Sequence, residues 1–322
     1  MNFVQAITKI VLGISLVCSV ALATAQNYPS RPVRLVVPFP PGTGTDIAAR
    51  VVGQQLQLAF GQPFVVDNKP GAGGSIAAME VIRAAPDGYT LLFSSNSVLS
   101  SNVALLKNLP YDPNKNFSPI GGVAVTSLAL MVKPDFPAKT LKEFIAYAKQ
   151  RPGKMSAGYG SSSAQVALAL LTKMAGLDVL AVPYKGIPLA VNDVIGGTLD
   201  FAFVDIGNAV AQTKGGMLRT IAVSSEKRSA LTPDWPTVSE VLPGFEILGW
   251  VAVAGPAGMP PQIIESLSSA IGAAITTPDV RQKFSTSGFA PMPMKPDQLK
   301  SFIASETVKW TQLAKDARME AQ

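Results

Sequence analysis

The stretch RLVVPFPPGTGTDIAARVVGQQLQL, residues 34–58, holds a strand, a sharp turn and an amphipathic helix in direct succession. Residues 34–38 form a short apolar run of the kind a buried strand makes. Pro40, Pro41, Gly42 and Gly44 then break it. From Thr45 onward Ile47, Val51, Val52 and Leu56 recur on one helical face. A strand at 64–66, a helix capped by Ser75 and reaching residue 84, and a strand at 90–93 complete a βαβαβ unit. Strands alternating with helix-length crossovers predict an α/β fold with mainly parallel sheets flanked by helices.

The pattern repeats further along. An apolar run at 128–132 is followed by Thr140 and Glu143, spaced as a capping box for a helix to residue 150. A strand at 155–159, a Gly/Ser turn at 160–163 and a helix at 164–175 stopped by Gly176 come next. Strands at 180–183, 199–204 and 220–224 follow, with Pro188 suited to the first turn of a helix to residue 195. After a strand at 251–254, three helices are predicted at 260–275, 278–287 and 296–317. Two crossings, near 125 and 252, would divide the chain into two lobes. The first is 26–125 plus 252–322, with the last helices packed on it, and the second is 126–251.

The N-terminus has the pattern of a secretory leader. Lys9 is the only charged residue before Arg31, an apolar run spans 10–23, and Ala23-Thr24-Ala25 is an A-x-A site, so cleavage is expected after residue 25. The run is shorter than the roughly 20 residues a membrane-spanning helix needs. The only cysteine, Cys18, would leave with the leader, so no disulfide is available. With 48% hydrophobic residues, the remainder has material for two cores. Removing Lys9 lowers the formal net charge of +6 by one. No basic cluster is interleaved with aromatics, which argues against nucleic-acid binding. The expectation is a periplasmic protein with no cofactor and no metal.

Catalysis has few sequence candidates. The chain has no histidine, which excludes Ser-His-Asp triads and the commonest metal ligand. Lys173 lies about three helical turns beyond Ser161, Ser162 and Ser163, poorly placed for a Ser-Lys pair. Gly42-Thr43-Gly44 would need a third glycine at Ile47 to match a dinucleotide loop.

What remains is one arrangement present twice. At 38–46 and at 159–164 a strand passes through a Gly- or Ser-rich turn into a helix start. A helix start offers unpaired N–H groups and partial positive charge, enough to hold a carboxylate without a charged side chain. Gly42 and Gly44, and Gly158 and Gly160, let backbone approach closely. Thr43, Thr45, Ser161, Ser162 and Ser163 add hydroxyls. The same residues also serve ordinary turns and caps, and Asp46 is placed to neutralise its own helix end.

Several segments together resemble the tripartite tricarboxylate transporter receptor family, the Bug-type periplasmic binding proteins. They are YPSRPVRLVVPFPPGTGTD (28–46), VDNKPGAGG (66–74), APDGYTL (85–91), VPYKG (182–186), GGTLD (196–200), and Gly249-Trp250 followed by GPAG (255–258). The resemblance covers nearly all of the chain after the leader. It implies a two-lobed flytrap fold and delivery of a captured carboxylate to a two-component membrane permease. The ligand would be held by the loops at 39–45 and 158–163, Phe39 included. Ser95, Asn96, Lys185 and Asp205 occupy neighbouring loops. Lys185 would neutralise a carboxylate or lie on the surface; Asp205 would hold a ligand ammonium, as in amino-acid-binding relatives, or cap a helix.

Two positions depart from the family pattern. Gly42-Thr43-Gly44 stands for the usual glycine triplet, and Gln165 stands where many relatives have histidine. The expected ligand is therefore a small organic carboxylate: a di- or tricarboxylate, an aromatic one such as terephthalate, or an acidic amino acid. A monomer is expected. The alternatives are a ligand-dependent partner of a membrane sensor and a carboxylate-processing enzyme.

Overall fold

The computed structural model describes residues 28–229 and 231–321. The segment read as a leader, with Lys9, Cys18 and the expected cleavage site, lies outside them. β1 (Val33–Val37) pairs in parallel with β2 (Phe64–Asn68) and β3 (Thr90–Ser95). The crossovers are α1 (Gly44–Phe60) and α2 (Ser75–Ile82). Gly61, at φ 69°, ends α1 in the left-handed conformation that glycine adopts without strain. Ser75 is not the cap predicted for α2. That position falls to Gly74 at φ 92°, and no side chain caps the helix. After β3 a π-helical turn, Ser97–Ser101, runs into α3 (Asn102–Leu105).

β4 (Phe117–Val132) is the long strand that joins the lobes. The second lobe contains α4 (Leu141–Lys149), β5 (Met155–Tyr159), α5 (Ser162–Ala175), β6 (Val179–Pro183) and α6 (Ile187–Ile195). It continues with β7 (Phe201–Asp205), α7 (Ile206–Lys214) and β8 (Arg219–Val223). Thr140 and Glu143 form the predicted capping box. The chain returns through β9 (Leu248–Pro256) to α8 (Pro261–Thr276), α9 (Pro278–Thr286), β10 (Phe289–Met294) and α10 (Pro296–Asp316).

The strand order is β2-β1-β3-β9-β4-β7-β5-β6, with β8 and β10 also on β4. Parallel pairing holds for β2-β1-β3 and for β6-β5-β7. Pairing turns antiparallel where β4 and β9 enter, because these strands cross between lobes without an intervening helix. β4 pairs with β9 through Ser127, and from Leu128 onward with β7 and β8. Buried Ser224 ties the two crossings together. Its hydroxyl accepts from the Leu128 N–H at 2.8 Å and donates to the Ile247 carbonyl at 2.6 Å. Its backbone bonds the same two residues.

The first-lobe core gathers Val33, Leu35 and Phe93 with Leu267 and Ile271 of α8 and Phe284 of α9. In the second lobe, Phe144 packs edge-on to Phe201 with ring centroids 5.0 Å apart. α10 is not confined to the first lobe. Leu299 and Ile303 pack with Val36 and Trp250, whereas Trp310 and Ala314 join the core that contains Phe203 and Leu171. It therefore straps the two lobes together behind the crossings.

Candidate ligand-binding site

The lobes meet over two adjoining compartments that share Phe39, Gly160 and Ser161. The inner one holds about 40 Å³ and is closed at its back by Trp250, Val251 and Phe289. The outer one holds about 320 Å³ and is framed by the Gly71–Gly74 turn, Leu105, Leu106, Tyr159 and Tyr184.

The first helix start is built by local hydrogen bonds. Gly42 adopts φ 83°, and its N–H donates to Asp46 at 3.0 Å. Asp46 also accepts from Asn68 and from Arg50, one turn further on. Burial pushes the Asp46 carboxyl up, but the bonds from Arg50, Gly42 and Asn68 outweigh this and hold it below the usual carboxylate range. Asn68 donates in addition to the Phe39 carbonyl at 2.9 Å, so the loop is held from both sides. The Thr43 hydroxyl donates to the Pro40 carbonyl and accepts from the Asp46 N–H. It is therefore a cap, already committed.

The second helix start is built the same way. Ser161 caps α5 by accepting from the Ala164 N–H at 3.3 Å. The other two serines reach across the cleft. The Ser162 N–H donates to the Ser97 hydroxyl, Ser162 Oγ donates to Asn102 Oδ1 at 3.1 Å, and Ser163 Oγ donates to Asn96 Oδ1 at 3.1 Å. These hydroxyls bind the first lobe rather than standing free.

The two helix starts thus use their backbone donors alike. The first of each faces across the cleft: the Gly44 N–H lies by the Asp205 carboxylate and favours its charge, and the Ser162 N–H donates to Ser97. The third is taken by the cap residue. The second, on Thr45 and on Ser163, has no partner among the described residues, and both residues line the inner compartment. Two unclaimed N–H groups on opposing helix starts suit the two oxygens of a carboxylate.

The remaining predicted residues separate clearly. Phe39, Gly44, Ser95, Asn96 and Asp205 line the inner compartment, and Lys185 lines the outer one, the single charged residue there among the described residues. Gly42 and Gly158 line neither. Gly42 supplies the turn. Gly158 is buried in β5, where a Cβ would lie 2.6 Å from Leu199 and 2.7 Å from Ala190, so it serves packing. Asp205 opens α7 without capping it. No group of His, Cys, Asp and Glu suited to a metal ion occurs among the described residues.

The sequence profile described as "Tripartite tricarboxylate transporter family receptor" matches residues 48–319. The chain belongs to this family. Three solved structures are close to this receptor. Rpa4515 of R. palustris, with adipate, is 30% identical with TM-score 0.89, covering 92% of this chain and 100% of its own. The periplasmic binding protein BugD is 32% identical with TM-score 0.87, at the same coverage. MatC of Rhodopseudomonas palustris, with bound malate, is 31% identical with TM-score 0.84, covering 89% and 99%. These neighbours establish the two-lobed periplasmic-binding-protein fold for the receptor.

Sequence reasoning missed the outer frame of the site. The Gly71–Gly74 turn carries positive φ at all four residues, Ala72 included, which brings bare backbone to the cavity wall. The signal was present as consecutive glycines in GAGG, but nothing local says which face they turn to the ligand. Ser97 and Asn102 were missed because the run at 97–102 has no helical or strand period.

Proposed function

We propose that this receptor captures a small organic carboxylate outside the cytoplasm and delivers it, unchanged, to a two-component membrane permease. The observation that carries this reading is the pair of unclaimed N–H groups, Thr45 and Ser163, on facing helix starts inside a closable cleft. Adipate and malate, the molecules bound in Rpa4515 and MatC, set the chemical class. The ligand carboxylate sits in the inner compartment and its body in the outer one, where Lys185 is placed to meet a second carboxylate. The receptor works as a monomer after loss of its leader. Closure is favoured by ligand because both lobes contribute donors only when shut.

A thermal-shift panel of adipate, malate, citrate, terephthalate and acidic amino acids tests the class. A ligand at 100 times its dissociation constant adds about 2.7 kcal/mol. No shift with any carboxylate would remove the reading.

Replacing Ser161, Ser162 and Ser163 together with alanine should weaken binding at least tenfold, because two bonds across the cleft are lost along with a cap. The cap itself is worth about 1 kcal/mol of stability. Calorimetric titration gives the affinity and circular dichroism confirms folding. Unchanged affinity would show that these hydroxyls do not hold the closed cleft together.

A further inference from the structure

Among the described residues, Asp205 is the only charged one that lines the inner compartment. It ends β7 in the second lobe, yet its carboxylate lies by the Gly44 N–H of the first lobe and by Asn208, both of which favour its charged form. A carbon placed on Gly44 would lie 3.5 Å from the Asp205 carboxyl carbon, which places the acid against the start of α1. The unclaimed N–H of Thr45 is the next donor along that start. An anion seated there is therefore next to an acid of the same charge.

Among the described residues that line this compartment, none carries a positive charge to neutralise the pair. β4 offers Thr126 and Leu128, β9 offers Gly249 and Trp250, β3 and its following turn offer Ser95 and Asn96, and β10 offers Phe289. On α1 the nearest titratable group is Asp46, committed to Arg50, Asn68 and the Gly42 N–H. The first charge on α7 itself is Lys214, at its far end. Arg281 of α9 and Lys227 line a neighbouring cleft on the far side of Thr126 and Phe289 and do not line the inner compartment, and Lys185 lines only the outer one. Two like charges in a space of about 40 Å³ without a counter-ion are resolved by a proton.

We propose that ligand capture is proton-coupled: Asp205 enters the closed complex as a neutral acid and donates its proton to hydrogen-bond the ligand carboxylate. This rests on the carboxylate-receptor reading above. The proton comes from solvent and forms the O–H bond of the Asp205 acid; no other covalent bond changes. Burial supports the assignment by raising the Asp205 carboxyl to about 6 in the ligand-free cleft. An anion alongside raises it further. The receptor then loads better in acid and releases as pH rises.

The test is calorimetric titration with adipate, malate and glutamate at pH 5.5, 6.5, 7.5 and 8.5, in buffers of different ionisation enthalpy. The expected result is uptake of up to one proton per ligand and up to a tenfold loss of affinity per pH unit above about 6.5. Asp205→Asn keeps a donor without a charge. It should bind at pH 8.5 as the natural protein binds at pH 5.5, with no pH slope and no proton uptake. Binding with no proton uptake and a flat pH profile in the natural protein would overturn the inference while leaving the receptor reading intact. So would glutamate binding that Asp205→Asn abolishes at every pH, the result expected of an acid that holds an ammonium. If none of the probes binds at any pH, the receptor reading for this ligand class fails and the inference fails with it.

Discussion

Gly186→Ala should leave the free protein folded while weakening ligand capture by about 10- to 100-fold. Gly186 lies at the start of α6 with φ −177° and ψ 156°, extended backbone that any residue adopts. The new methyl group meets nothing that close in its own lobe. It would lie 2.9 Å and 3.0 Å from the Pro40 ring and 3.6 Å from Thr43, all in the first lobe. Pro40 cannot readily give way, because its carbonyl is held by Thr43 and the preceding carbonyl by Asn68. The strain therefore falls on the closed state alone. Overpacking of this kind costs about 1–3 kcal/mol. Since about 1.4 kcal/mol corresponds to a factor of ten, most of the effect appears as lost affinity. Small-angle scattering should show a more open protein that ligand compacts less, with a melting temperature near that of the natural protein. Unchanged affinity would mean that the loops do not approach in the bound state. Gly160→Ala provides the contrast. Its methyl group would sit 2.3 Å from the Gly186 carbonyl carbon and 2.5 Å from the Ile187 nitrogen, within the same lobe. That variant should lose stability, not only affinity.

The same close approach shows how the lobes and ligand divide the work. Each helix start turns one N–H toward the opposite lobe and gives one to its own cap. On the proposed reading, closure without ligand is thereby partly satisfied, and ligand would supply the acceptor for the pair left over. A ligand shifts the equilibrium only by what it gains in the closed state, and these two donors are separated when the cleft opens. Ser224 holds the two crossings in register through four bonds, two to Leu128 and two to Ile247.

The sequence made the strand-turn-helix units legible because their signals are local: the Thr140–Glu143 box, the Pro/Gly turn at 40–44, and Gly176 ending α5. It failed where the decisive partner is distant. Ser162 and Ser163 looked like free hydroxyl donors, but their acceptors Asn102 and Asn96 lie 60 and 67 residues away in sequence. β10 was not foreseen, since Pro291 and Pro293 argue against a strand. It exists by pairing only with β4, with a register shift between Pro291 and Met294. Gly42 and Gly158 were read as ligand contacts from their loops, yet one is needed for its positive φ and the other for packing behind the strand. Asp205 was recognised as a candidate, but its environment depends on a backbone N–H from the other lobe.

Glu306→Ala should produce the largest loss of stability, about 3–5 kcal/mol. Glu306 is 7% exposed, and one of its oxygens accepts from both indole N–H groups, Trp250 at 2.7 Å and Trp310 at 2.9 Å. Both rings are almost fully buried. Removing the carboxylate leaves two buried donors without an acceptor, each costing about 1–3 kcal/mol, and opens a cavity as well. Glu306→Gln separates charge from hydrogen bonding. Its single carbonyl oxygen can take the place of the one oxygen that now serves both indoles, so the loss should be under about 1.5 kcal/mol. The cost that remains comes from turning an amide NH₂ toward Lys309, whose ammonium is 3.7 Å from the other carboxylate oxygen. Denaturant unfolding followed by near-ultraviolet circular dichroism would measure both variants; equal losses would show that the charge, not the acceptor geometry, is what counts. The consequence reaches the ligand site because Trp250 forms the back of the inner compartment while Trp310 packs into the second-lobe core. Glu306 therefore fixes the wall of the pocket to the helix that straps the lobes. A variant that loses this link should bind more weakly even at temperatures where it is still folded.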